Sequence, residues 1–214
     1  MDSWSVAYQI ALFIAFACSF LVLKNSNKSL IIFPILFFFA NTTELIVAFE
    51  KHNHKINYPY IYHFYIPIEY ILLGYFYYLN SYSKKVRSII LYSIPLFIIA
   101  CLYISICAKP NEKYPTLQFN IEGLLIITWV LISLFSLKSE EDINIFKHPF
   151  FWINIGLLFF HSGNFFLMGS YNYLLNYNLP LAKKLFKLIN TTLNLLLFIF
   201  FIIGFICSTQ TRKL

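Results

Sequence analysis

Charge is scarce in this chain of 214 residues: 12% are Asp, Glu, Lys or Arg, against 59% hydrophobic and 21% aromatic. A soluble domain coats itself with roughly 25% charged residues, so lipid rather than water must be the main solvent. Cysteine is sparse as well. Cys18, Cys101, Cys107 and Cys207 stand singly in apolar runs with no CxxC pair. That spacing argues against a zinc site or a disulfide framework and leaves them as packing residues. No kinase, nucleotide-binding or DNA-binding segment is present. The formal charge of +7 comes from cations between the hydrophobic runs, not from a basic tract, so nucleic acid is excluded as a partner and anionic lipid headgroups are favoured. The apolar runs also lack period-2 alternation, which excludes a membrane barrel.

What the sequence does have is long apolar runs. Crossing the hydrocarbon core takes about 20 mainly apolar residues, and seven runs meet that length: about 5–24, 29–49, 59–81, 87–108, 117–137, 149–170 and 186–207. The expected fold is all-α, a polytopic bundle of seven transmembrane helices in one domain, 1–214. The first run follows Met1-Asp2-Ser3-Trp4 with no preceding basic residue and is too long for a signal-peptide core, so a retained span is expected. Pro149 is placed to start a helix, where its missing N–H costs nothing. Lys and Arg divide nine to seven between the two faces. Together with the Lys84-Lys85-x-Arg87 cluster, this points to an external N-terminus and a cytoplasmic C-terminus in a multi-pass cell membrane protein. The acidic patch Glu140-Glu141-Asp142 reads as a solvated loop at which a cytoplasmic partner protein could dock.

Polar side chains within a span cost about 2.5–3.5 kcal/mol each on insertion scales, so their depth carries functional information. They are Gln9; Asn41 and Glu44; Tyr62, His63 and Glu69; Asn120 and Glu122; His161, Ser162 and Asn164; and Asn190 and Asn194. With alternating helix direction, all fall in the half of the membrane nearest the N-terminal face. The other half is Phe, Leu, Ile and Tyr, apart from Trp152 and Asn154 at the interface. Six spans with polar groups at similar depth form the pattern of a cavity open to one side, with a small molecule or ion as its ligand. The fourth span contributes only Ser93, Pro95 and two cysteines, which places it at the edge. Asn41 and Glu44, and His161 and Asn164, are i,i+3 pairs; Asn190 and Asn194 are i,i+4. His63 and Glu69 are six apart, and Pro67 between them can kink the span.

The candidate ligand-binding set is Asn41, Glu44, His63, Glu69, Glu122, His161, Asn164, Asn190 and Asn194. Taken singly, Asn41, Asn120, Asn164, Asn190 and Asn194 are better explained as helix-to-helix hydrogen bonds. The carboxylates are harder to explain that way. Glu44, Glu69 and Glu122 face no mid-membrane Lys or Arg, so each must be protonated, paired with His63 or His161, or holding a cation. Glu69 is the deepest, whereas Glu44 and Glu122 fall where interfacial water reaches. No catalytic residue or cofactor is named by these residues, and no metal-ligand set is indicated.

Seven spans with an outlying fourth resemble the 3+1+3 plan of SWEET-type sugar transporters, but the Pro-Gln dipeptide of that family is missing. Microbial rhodopsins carry a mid-span lysine in the last helix, and residues 188–207 contain none, so retinal is not expected. Seven-helix hydrolases related to ceramidases carry a late HxxxH pair, whereas the last histidine here is His161. Four stretches are similar to those of a family of small seven-span inner-membrane proteins from AT-rich Gram-negative bacteria. They are Asn41-Thr42-Thr43-Glu44; Tyr62-His63-Phe64-Tyr65 with Glu69-Tyr70; His148-Pro149-Phe150-Phe151-Trp152-Ile153-Asn154 with Gly163-Asn164-Phe165; and Ile189-Asn190 with Leu193-Asn194. This resemblance implies the architecture and an association with signalling, but no activity. The expectation is a ligand- or signal-sensing membrane module. A transporter or intramembrane acid–base or metal enzyme is the alternative, and a purely structural subunit is the third reading.

Overall fold

The computed structural model describes residues 3–24, 28–52, 60–107, 115–138 and 145–210. These contain seven α-helices and, among the described residues, no strand. Helix α1 (Ser3–Ser19) runs on as a 3-10 turn, Phe20–Lys24, and α2 (Ile32–His52) is preceded by a 3-10 turn, Lys28–Ile31. Then come α3 (Tyr60–Asn80), α4 (Lys84–Cys107), α5 (Thr116–Lys138), α6 (Pro149–Tyr177) and α7 (Leu179–Gln210). The patch Glu140–Asp142 and the cations Lys55, Lys109, Lys113, Arg212 and Lys213 lie outside the described residues.

Six helical segments are long and apolar enough to cross a membrane: Val6–Leu23, Lys28–His52, Lys84–Cys107, Thr116–Leu137, Pro149–Ser170 and Pro180–Thr209. The expected seventh, α3, does not reach the same apolar level. Its 21 residues include Tyr60, Tyr62, Tyr65, Tyr70, Tyr75, Tyr77 and Tyr78, together with His63, Pro67 and Glu69. Tyrosine lowers mean hydropathy through its hydroxyl even where the ring is packed in apolar surroundings.

The expected loop between the last two spans, Gly169 to Leu185, is mostly helix. Its Asn, Tyr and Lys residues are polar but do not break a helix, and only Asn178 interrupts the run. Its N–H donates to the Leu174 carbonyl at 2.9 Å, ending α6, and its Oδ1 accepts from the Leu181 N–H at 3.1 Å, capping α7. At 29 residues, α6 is about 44 Å long and overshoots a hydrocarbon core of about 30 Å. Its start is as the sequence predicts. Pro149 opens the helix, His148 caps it by accepting from the Phe150 N–H at 3.3 Å, and the Trp152 indole N–H donates to the Phe146 carbonyl at 2.8 Å.

The chain divides into two compact units: a terminal unit, Met1–Asn27 with Gly123–Leu214, and a central unit, Lys28–Glu122. In the terminal unit α6 packs along α7, and α1 packs on α7. A 3+1+3 plan would place α1 with α2 and α3 instead. The α6–α7 approach is close because glycines line it. A Cβ on Gly156 would stand 2.9 Å from Phe200 Cβ, one on Gly163 2.7 Å from Leu193 Cδ2, and one on Gly204 3.0 Å from Ile153 Cγ1. Small residues let apolar helices approach where no hydrophobic drive separates protein from lipid. Phe200 stacks between Trp152 (6.0 Å, 19°) and Phe159 (6.1 Å, 10°).

In the central unit α3 packs against both α2 and α4. Tyr70, Leu73, Phe76 and Tyr77 are buried, Phe33 meets Phe76 at 5.1 Å, and Tyr70 meets Phe97 at 4.5 Å. Ser93 donates to the Ile90 carbonyl, so its oxygen accepts from the Tyr70 hydroxyl at 2.7 Å. Ser29 donates to Asn80 Oδ1 at 3.0 Å, tying the start of α2 to the end of α3. The fourth helix buries only Ile90, Phe97 and Cys101 and turns Tyr92, Leu96, Ile99, Tyr103 and Ile106 outward, the peripheral position expected for it.

Candidate functional site

One end of the central unit gathers the second half of α2, the first half of α3, the last turns of α4 and the first turns of α5. Antiparallel succession puts these four stretches at the same level, and hydrogen bonds join them. The Tyr62 hydroxyl donates to Glu44 Oε1 at 3.1 Å, linking α3 to α2. His63 is buried and its Nδ1 lies 2.9 Å from Ser105 Oγ on α4. Gln118 on α5 donates through Nε2 to the same Ser105 Oγ at 2.8 Å and to the Cys101 carbonyl at 2.8 Å. That carbonyl can only accept, so the orientation of the amide is fixed. Among the described residues Gln118 Oε1 is buried without a hydrogen-bond partner. Because Gln118 donates to Ser105, the serine's own hydrogen is available to His63 Nδ1.

Further along α3, the Tyr65 hydroxyl bonds to Glu69, one turn on. Tyr65 also lies within electrostatic reach of Glu122, Glu44 and Tyr62, so it marks the centre of a group drawn from α2, α3 and α5. Pro67, inside this turn of α3, has no N–H to give to the His63 carbonyl.

The structure corrects the environment of Glu122. The sequence places it near the interface, where water could solvate it; it is 0% exposed, and neither carboxylate oxygen has a hydrogen-bond partner among the described residues. It lies one turn beyond Gln118 on α5, within electrostatic reach of Glu69 and Cys101. Glu69, the deepest by sequence, is only half-buried. Asn154, expected at the interface, is 0% exposed within the terminal unit and donates to Ser133 on α5 at 2.9 Å.

The candidate residues therefore divide by unit. Asn41, Glu44, His63, Glu69 and Glu122 belong to the central unit, and His161, Asn164, Asn190 and Asn194 to the terminal unit. In the terminal unit His161 is 1% exposed, with its Nδ1 3.6 Å from where a Cβ on Gly123 would stand. Asn164 is 0% exposed and donates to the Phe160 carbonyl at 3.0 Å. Asn194 donates to the Asn190 carbonyl at 2.8 Å and to its side-chain oxygen at 3.2 Å. Asn41 likewise donates to Phe37 in its own helix, at 2.8 Å. The donor groups of Asn41, Asn164 and Asn194 thus satisfy their own helices, whereas Tyr62, Tyr70, Ser105, Gln118 and Asn154 bond between helices.

Three of the site's residues were missed by sequence reasoning. Tyr65 and Gln118 each stand four residues before a glutamate, a signal readable in retrospect. Ser105 carries none, and it corrects the reading that α4 brings only Ser93, Pro95 and two cysteines. Among the described residues no three His, Cys, Asp or Glu side chains are grouped so as to hold a metal ion.

Six spanning-length apolar helices define an integral, multi-pass membrane protein. No family model, curated protein or solved structure matches the chain.

Proposed function

We propose that this membrane protein is a ligand- or signal-sensing module with its site at the polar end of the central unit. The observation that carries this reading is the convergence of Glu44 with Tyr62, Tyr65 with Glu69, and the fully buried Glu122. They come from elements with little cationic character: α3 has no Lys or Arg, and α5 has none before Lys138 at its far end. Acidic groups retained at such a cost within spans mark functional sites more often than packing sites. In this reading α3 is the seventh crossing, the N-terminus and the site face outward in a bacterial inner membrane, and helix shifts carry the signal to a partner protein. The resemblance to small seven-span inner-membrane proteins fits this reading.

A thermal-shift screen in nanodiscs tests it, using alkali ions, amines, amino acids and sugars on the wild type, Glu69→Gln and Glu122→Gln. A compound that stabilises the wild type and neither variant supports the module. If no compound stabilises the wild type, and the variants differ from it only in melting temperature, the structural-subunit account takes its place.

The His63–Ser105 bond favours a second reading, an intramembrane acid–base enzyme. With Gln118 donating to Ser105 Oγ, the tautomer of His63 that carries its hydrogen on Nε2 accepts the serine proton at Nδ1, as a base faces its nucleophile. Covalent capture of Ser105 by a fluorophosphonate, abolished in His63→Ala, is the expected result for such an enzyme; unlabelled Ser105 in the folded wild type eliminates it.

A further inference from the structure

Of Glu44, Glu69 and Glu122 in the central unit, two have a tyrosine hydroxyl as donor: Tyr62 for Glu44 and Tyr65 for Glu69. Glu122 has neither a donor among the described residues nor any exposure. Gln118, one turn earlier on the same face of α5, is also 0% exposed. Its amide nitrogen is held by Cys101 and Ser105, and its Oε1 is without a hydrogen-bond partner among the described residues. Gln118 donates to the Cys101 carbonyl on α4, and Glu122 lies within electrostatic reach of the same residue. Three buried oxygens, all acceptors, thus belong to side chains one turn apart on one face of α5, within electrostatic reach of a second carboxyl group, Glu69. Burying acceptors and negative charge without a donor or counter-charge is strongly unfavourable, and a bound cation removes that penalty.

We infer that Glu122, with Gln118 Oε1 and Glu69, holds one monovalent cation, a proton or an alkali ion. One positive charge on the pair leaves one negative charge, and the Tyr65 hydroxyl supports that charge on Glu69. The titratable groups around the site are Glu44 from α2, Tyr62, Tyr65 and Glu69 from α3, and Cys101 from α4. On α6, His161 packs against Gly123, the residue after Glu122. This inference rests on the sensing module proposed above and names the chemistry of its ligand.

Infrared difference spectroscopy of the whole protein in nanodiscs tests the inference, first exchanging choline for Na⁺ or K⁺ at fixed pH and then stepping the pH in choline. A carboxyl band that is absent from Glu122→Gln and responds to Na⁺ or K⁺ identifies an alkali ion. The same band responding to pH alone identifies a proton. Absence of any Glu122-dependent band in both exchanges overturns the inference. Gln118→Met, which keeps the length and removes the oxygen, should shift the midpoint of the transition by about tenfold in cation concentration, or about one pH unit. An unmoved midpoint removes Gln118 from the site and overturns the assignment. Silent infrared exchanges alongside a neutral compound that stabilises the protein would remove the cation and leave the sensing module standing.

Discussion

Tyr65 bonds to Glu69 across one turn of α3, with Pro67 between them. The proline removes one backbone donor from this stretch, and the tyrosine supplies a side-chain donor to the carboxyl beside it. Tyr65→Phe keeps the ring and deletes the bond, so it should lower stability by about 1–2 kcal/mol, the scale of a side-chain hydrogen bond in a helical membrane bundle. In Glu69→Gln the tyrosine loses a charged acceptor but keeps a neutral one, and the double variant should cost less than the sum of the singles. Reversible unfolding in mixed micelles measures the cycle; strictly additive effects would show that the two side chains do not interact.

The glycines of α6 make unequal demands. Gly163 admits Leu193, with no room for a Cβ, whereas a Cβ on Gly169 would meet nothing within 4 Å. Gly163→Val should therefore destabilise by about 1–3 kcal/mol through overpacking of the α6–α7 contact. Gly169→Ala should leave the melting temperature unchanged or raise it slightly, since alanine favours helix. Equal losses at both positions would mean that α6 and α7 do not approach as closely as Gly156, Gly163 and Gly204 indicate.

Helix existence was legible because a span has to be long and apolar, and the start of α6 was marked by Pro149. Helix ends were less so. Residues 170–177 are rich in Ser, Asn and Tyr, yet nothing before Asn178 breaks a helix, so depth in the membrane and helix length are separate properties. The site was legible in its residue types but not in its environments. Glu122 and Glu69 look alike as single acids near polar neighbours. Only packing shows that the nominally shallower one is fully buried and the deeper one is not. Ser105 could not be singled out, because a lone serine near a span end has no spacing that foretells a bond to His63 and Gln118.

The number of crossings is decided by α3. At 21 residues the helix is about 31 Å long, matching a hydrocarbon core of about 30 Å. Its tyrosine hydroxyls at positions 62, 65 and 70 are hydrogen-bonded within the central unit, so they do not oppose burial in lipid. Its exposed residues Phe64, Ile71 and Tyr75 fall on one stripe at i, i+7 and i+11, an apolar face suited to acyl chains. Counted with the six more apolar helices, a crossing α3 would make seven, and reporters fused ahead of α1 and after α7 should then lie on opposite sides of the membrane. Protease protection of the two reporters in oriented vesicles distinguishes the cases. Reporters on the same side would give an even number of crossings, leave α3 at the surface, and place Glu69 and Tyr65 within reach of water rather than inside the bilayer.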